Sequence, residues 1–153
     1  MGKLIVDKIT RNVYCVQTSL VNNNAINSST TFTNYSIVNT TPNINQGGFT
    51  VAATGIVVPV PGLYLICFNC YYYSTGAREN VKVGVTIKSN LTSTYHHGYI
   101  RDADSHQNSS VAGTQIAYLQ PDQLVGLEFA REANSGTVFL IGANSHFGLA
   151  KID

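Results

Sequence analysis

Residues 57–73, "VVPVPGLYLICFNCYYY", set two prolines and a glycine before an unbroken apolar and aromatic run that carries no charge. Pro59 and Pro61 cannot donate to a strand ladder and favour extended backbone, so they belong where a strand begins. Gly62 permits a tight turn at that point. From Leu63 onward, two-residue alternation sends Leu63, Leu65, Cys67 and Asn69 to one face and Tyr64, Ile66, Phe68 and Cys70 to the other. Both faces are largely apolar. A sandwich of two sheets normally leaves one face of each sheet to water, so a strand apolar on both sides needs cover on both sides. The second cover is expected from another copy of the chain.

Charge supports that expectation. Residues 12–77 hold no Asp, Glu, Lys or Arg, and charged residues are only 11% of the chain, against about 25% in ordinary globular domains. This part of the surface is either covered by another chain or solvated by amides and hydroxyls alone. The net charge of +1, with scattered Lys and Arg, supplies no field for a polyanion, so nucleic acid is not an expected partner. In the opening "MGKLIVDKIT" the apolar run is short and flanked by charges, which predicts neither a signal peptide nor a membrane span. Val6 stands where a myristoylation motif needs Ser or Thr.

Strand-length runs rich in Val, Ile, Tyr and Phe recur along the chain: "VYCVQTSLV", "GGFTVA", "GLYLICFNCYYY", "VKVGVTIK", "VAGTQIAYL", "LVGLEFA", "TVFLIGA" and "HFGLAKI". Turn residues separate them, and no window sustains helical periodicity. The pattern predicts an all-β, antiparallel two-sheet sandwich over residues 13–153, preceded by an arm or attachment segment, residues 1–12. Asn90 to Ser110 is read as one long loop, the kind of segment that is usually functional.

Cys67 and Cys70 have the C-x-x-C spacing of redox and zinc sites, but positions three apart on a strand diverge, and no second pair of ligands follows at suitable spacing. Cys15, Cys67 and Cys70 are read as buried free thiols. No nucleophile elbow, metalloprotease helix or phosphate-cradling glycine loop is present, so no catalytic residue and no enzyme activity are expected. Five N-x-S/T sequons, at Asn27, Asn34, Asn39, Asn90 and Asn108, matter only on a secretory route.

The segment "TGIVVPVPGLYLICFN" resembles the G-x-Y-x-F strand of the C1q globular-head family, and "GLYLI" is similar to the matching strand of the tumour necrosis factor (TNF) family. Phe49, Gly62, Tyr64 and Phe68 stand at the signature spacing, while Ile56 and Ile66 replace two Phe and Ile44 stands where Asn or Asp is expected. Downstream, "VKVGVTIKSN", "SSVAGTQIAYLQPDQLVGLEF" and "SHFGLAKI" resemble later strands, with Pro121 replacing a Gly and Asp122 kept. The resemblance implies a jelly roll that assembles as a homotrimer around an apolar axis. Interface candidates are Tyr64, Phe68 and Tyr72, or a facing set that includes Phe129; the alternative is that these rings fill the chain's own core.

The same resemblance implies recognition through loops. Tyr95, His96, His97, Tyr99, Arg101, Asp102, Asp104 and His106 combine aromatic, basic, acidic and imidazole groups in the one long loop, which suits contact with a protein or glycan on a host or partner surface. Asp102 and Asp104 are the only candidate calcium ligands, set against a simple solvated loop; no other cofactor is expected. The first reading is a virion surface protein, such as a capsid decoration or fibre head; the alternative is a secreted C1q-like recognition or signalling module. Location is accordingly the virion surface or the extracellular space.

Overall fold

The computed structural model describes residues 13–21, 24–26, 33–34, 38–75, 79–87, 90–91, 96–100, 108–132 and 137–153. They form two antiparallel sheets. The strands are β1 (Cys15–Ser19), β2 (Asn24–Ile26), β3 (Thr33–Asn34), β4 (Ile44–Gln46), β5 (Thr50–Ala52), β6 (Gly55–Val57), β7 (Gly62–Ser74), β8 (Glu79–Ile87), β9 (Asn90–Leu91), β10 (His96–Ile100), β11 (Asn108–Leu119), β12 (Leu124–Glu132), β13 (Val138–Leu140) and β14 (His146–Lys151).

β7 organises the first sheet. One of its edges pairs with β11 along Gly62 to Tyr73; the other pairs with β14 and then with β13. β14 continues outward through β1 to β4, and β13 continues to β2. The second sheet runs β10-β8-β12-β6-β5, with β3 beside β12 and β9 beside β8.

The core lies where the two sheets face each other. Along β7 every second residue is buried, from Gly62 through Tyr64, Ile66, Phe68, Cys70 and Tyr72 to Ser74. Across the sandwich stand Val81, Val83 and Val85 of β8 and Val125, Leu127 and Phe129 of β12. Each such side chain contributes about 1.5–3 kcal/mol when fully removed from water, so this seam supplies much of the driving force for folding. Tyr64 crosses Phe49 edge to face at 6.1 Å between ring centres, and its hydroxyl donates to the Val60 carbonyl at 2.8 Å. A buried phenol needs such a partner.

Two turns show how local chemistry sets the register. Pro121 and the left-handed Asp122, φ 62°, form the tip between β11 and β12, a type II pattern in which Asp tolerates a backbone that branched residues avoid. The Asp122 and Val58 amides donate to the carbonyls of Val58 and Gln123 respectively, tying this tip to the approach to β7. At Gly62, φ 155°, an added Cβ would collide with the Lys151 side chain. The chain closes there on a clamp: the Leu63 amide donates to Asp153 Oδ1 at 2.9 Å, and Lys151 Nζ stands 2.7 Å from the same oxygen.

The structure corrects one expectation about Asn90 to Ser110. That segment is not one loop: Asn90–Leu91 and His96–Ile100 are strands on β8, and β11 already begins at Asn108. An edge strand gains its ladder hydrogen bonds from the neighbour's backbone whatever its side chains, so a polar stretch such as "HHGYI" pairs without showing apolar alternation.

Candidate assembly interface

The first sheet has a second face, turned away from the core, and the register places its residues in rows. One row runs Ile44, Gln17, Gly148, Cys67, Thr114; the next runs Gln46, Cys15, Ala150, Leu65, Ile116. A third runs Ser19, His146, Asn69, Ala112. Leu63 pairs with Tyr118 toward one end and Tyr73 with Phe139 toward the other, where the two rings stack at 5.1 Å. No residue in these rows is Asp, Glu, Lys or Arg. The nearest described charges are Lys151 and Asp153, which neutralise each other at the end of β14.

This uncharged face is also apolar and open. Tyr118 is 61% exposed, Ile116 58% and Ile44 45%. Single exposed apolar residues are ordinary, but a contiguous set on one flat face marks a surface that meets another molecule. Its centre is a depression of about 420 Å³ lined by Cys15, Gln17, Ile44, Leu65, Cys67 and His146 among others. Gly148 forms the floor: a Cβ there would stand 2.7 Å from the Val16 carbonyl oxygen, so β14 and β1 approach more closely than any larger residue allows. The polar groups on the face are partly spoken for. Asn69 Nδ2 donates to the Asn144 carbonyl at 3.2 Å, and Ser19 Oγ accepts from Asn39 Nδ2 at 3.3 Å.

The expected interface residues lie elsewhere. Tyr64, Phe68, Tyr72 and Phe129 are enclosed between the two sheets of one chain, at 0–5% exposure, where no second chain reaches them. Burial pushes the Tyr72 phenol up to about 12. The alternation along β7 separates the two faces as expected, and the alternative reading of the bulkier set holds: these rings fill the chain's own core, because two opposed sheets need the larger rings to fill the space between them. The residues that do face outward are Leu63, Leu65 and Cys67 on β7, with Ile116 and Tyr118 on β11. The alternation of "TQIAYL" carried that signal for β11.

Of the expected recognition residues, His96, His97 and Tyr99 fall on β10. Tyr95, Arg101, Asp102, Asp104 and His106 lie outside the described residues, as does the arm 1–12. The calcium candidates Asp102 and Asp104 are therefore not placed. Among the described residues no group of three His, Cys, Asp or Glu could hold a metal ion. The cysteines are free. Cys67 and Cys70 point to opposite faces, and burial raises both thiols above their ordinary range, Cys70 far more. That is the reverse of the shift that activates a nucleophile. Cys15 and Cys67 are only half-buried, which corrects the expectation of buried thiols for these two.

No family model matches the chain, and no curated protein matches it in sequence. Solved structures do. The Eiger TNF structure from S. frugiperda superposes with a TM-score of 0.66 at 12% identity, covering 94% of each chain. Murine APRIL at pH 5.0 gives 0.61 at 14%, covering 92% of this chain and 99% of that one. The globular domain of zebrafish complement 1qA gives 0.60 at 16%, covering 92% and 98%. The two-sheet sandwich of this chain is the C1q/TNF-like jelly roll.

Proposed function

We propose, from the premise of that fold, that this protein is a non-enzymatic recognition or signalling module that works as a homotrimer outside the cell and binds a protein partner. The observation that carries this reading is the outer face of the first sheet: an uncharged, apolar surface centred on Leu65, Cys67 and Gly148 and edged by Ile116 and Tyr118. Rings close when one patch of a subunit meets a different patch of the next. Here the edge strand β11 and the depression over β14 are two such patches on one sheet. Covering them with copies of the chain accounts for the absence of charge on β1, β2, β4 and β7, the strands that residues 12–77 supply to this sheet.

A trimer leaves the second sheet and the inter-strand segments for the outside partner. The segment that carries Tyr95, His96, His97, Tyr99, Arg101, Asp102, Asp104 and His106 remains the proposed contact, repeated around the axis so that weak single contacts sum. Similarity to structures named for TNF, APRIL and complement 1qA favours a protein partner and a secreted setting over a virion surface.

Light scattering coupled to size exclusion tests the core of the proposal. A mass three times that of the 16.5 kDa chain is expected at micromolar concentration. A stable monomer removes the basis for the reading. Purified virions that contain the chain would move its setting to a particle surface without touching the assembly.

A further inference from the structure

We infer that His146 makes assembly of this protein depend on pH, holding copies together when its imidazole is neutral and separating them when it is charged. The inference rests on the proposed shared face and goes beyond it by naming a group that regulates it.

His146 begins β14 and stands in the middle of the outer face, with Ser19 of β1 on one side and Asn69 of β7 on the other. It lines the central depression. Its Nδ1 is buried and has no hydrogen-bond partner. A proton added there finds no acceptor, and the charge it brings finds no counter-charge. The groups that face His146 are Ser19 and Gln17 from β1, Asn69, Cys67 and Tyr71 from β7, Asn144 from the turn before β14, and Gly148 along its own strand. Cys67 and Tyr71 are the titratable members, and none of these described residues is a carboxylate. The Asn69 amide N–H already donates to Asn144, and the Ser19 hydroxyl oxygen already accepts from Asn39.

Covering this face with another chain removes the water that would otherwise solvate an imidazolium, and an unpaired charge is costly in such a place. Protons therefore bind the separated chains in preference to the assembly. The sign follows from linkage: cohesion is complete while the imidazole is neutral and is lost as falling pH charges it. A trimer repeats the group three times. If each copy loses up to about tenfold per pH unit, the trimer dissociation constant rises by up to about a thousandfold for each unit by which pH falls.

The test measures mass by light scattering at fixed low micromolar concentration from pH 8 to pH 5, with circular dichroism to confirm that the chain stays folded. Wild type is expected to be assembled at pH 8 and dissociated but folded at pH 5. His146→Gln and His146→Leu, one polar and one apolar, are expected to stay assembled throughout. A control with His96, His97 and His106 all changed to Gln alters the proposed partner contact and is expected to keep the wild-type dependence of mass on pH. A trimer with the same mass at pH 5 and pH 8 overturns the inference and leaves the shared face standing. So does dissociation of both His146 variants at pH 8, which makes the residue a packing element, and so does a pH response that survives in them. A wild-type monomer at pH 8 overturns the shared face and this inference with it.

Discussion

Leu65 and Ile116 are direct partners in the ladder between β7 and β11, and both turn to the face of the first sheet that lies opposite the core. Ile116 is more than half exposed. A lysine at Leu65 or an aspartate at Ile116 therefore meets water in the single chain and costs the fold little. In an assembly the same charge is buried without a partner, at a cost of several kcal/mol. Leu65→Lys and Ile116→Asp are expected to give folded monomers by light scattering, with strand-type circular dichroism retained. A trimer of wild-type mass from both variants would place the interface elsewhere.

Tyr64 behaves in the opposite way. Its ring is fully buried against Phe49 and its hydroxyl donates to Val60. Tyr64→Phe loses that hydrogen bond and is expected to cost about 1 kcal/mol, leaving a Val60 carbonyl that water reaches with difficulty. Tyr64→Ala opens a cavity in the seam and is expected to cost about 3–5 kcal/mol. Denaturant melts of a monomeric Leu65→Lys background separate these effects from assembly. Equal stability of Tyr64→Ala and its parent would contradict the placement of Tyr64 in the core.

The contrast between those two residues shows how far the sequence could be read. Strand identity, sandwich class and the two faces of β7 followed from period-two alternation and from the prolines ahead of Gly62. Which face is the core did not follow, because Leu63 and Leu65 are as apolar as Ile66, and only the packing of β7 against β8 and β12 of the other sheet decides. The depression could not be foreseen either, since Gly148 becomes a floor only once β1 and β7 flank it. His146 gives no local signal: its neighbours Ser19 and Asn69 are 127 and 77 positions away along the chain. β10 was hidden for a different reason, its pairing being a matter of backbone alone.

Gly148 joins fold and face in one position. A Cβ there approaches the Val16 carbonyl oxygen to 2.7 Å, a backbone atom held in the ladder, so the strands must part. Gly148→Ala is expected to cost about 1–3 kcal/mol by overpacking, and Gly148→Leu also fills the depression that a neighbouring copy would occupy. Thermal melts should show a loss in the first variant, and light scattering a loss of assembly in the second. An unchanged melting temperature for Gly148→Ala would show that β1 can move aside freely.

The thiols give a test that reads fold and face together. Burial raises Cys70 strongly and Cys67 more mildly, so the unfolded chain loses these protons first as pH rises. A group raised on folding contributes stability that is complete below its unfolded value, about 8.5, and is lost above it; the folded chain is therefore expected to lose stability between about pH 8.5 and pH 10. Reactivity orders the three sites differently. Cys15 and Cys67 are half-buried on the outer face, while Cys70 lies wholly in the core. At pH 8 a disulfide reagent is expected to label Cys15 and Cys67 of the monomeric Leu65→Lys variant within minutes and to reach Cys70 only on unfolding. In the assembled wild type, Cys15 and Cys67 line the depression that the next copy covers, so their labelling is expected to slow by at least about tenfold, in step with dissociation. Cys67 labelled equally fast in monomer and assembly would show that the depression stays open and that copies of this chain meet through another surface.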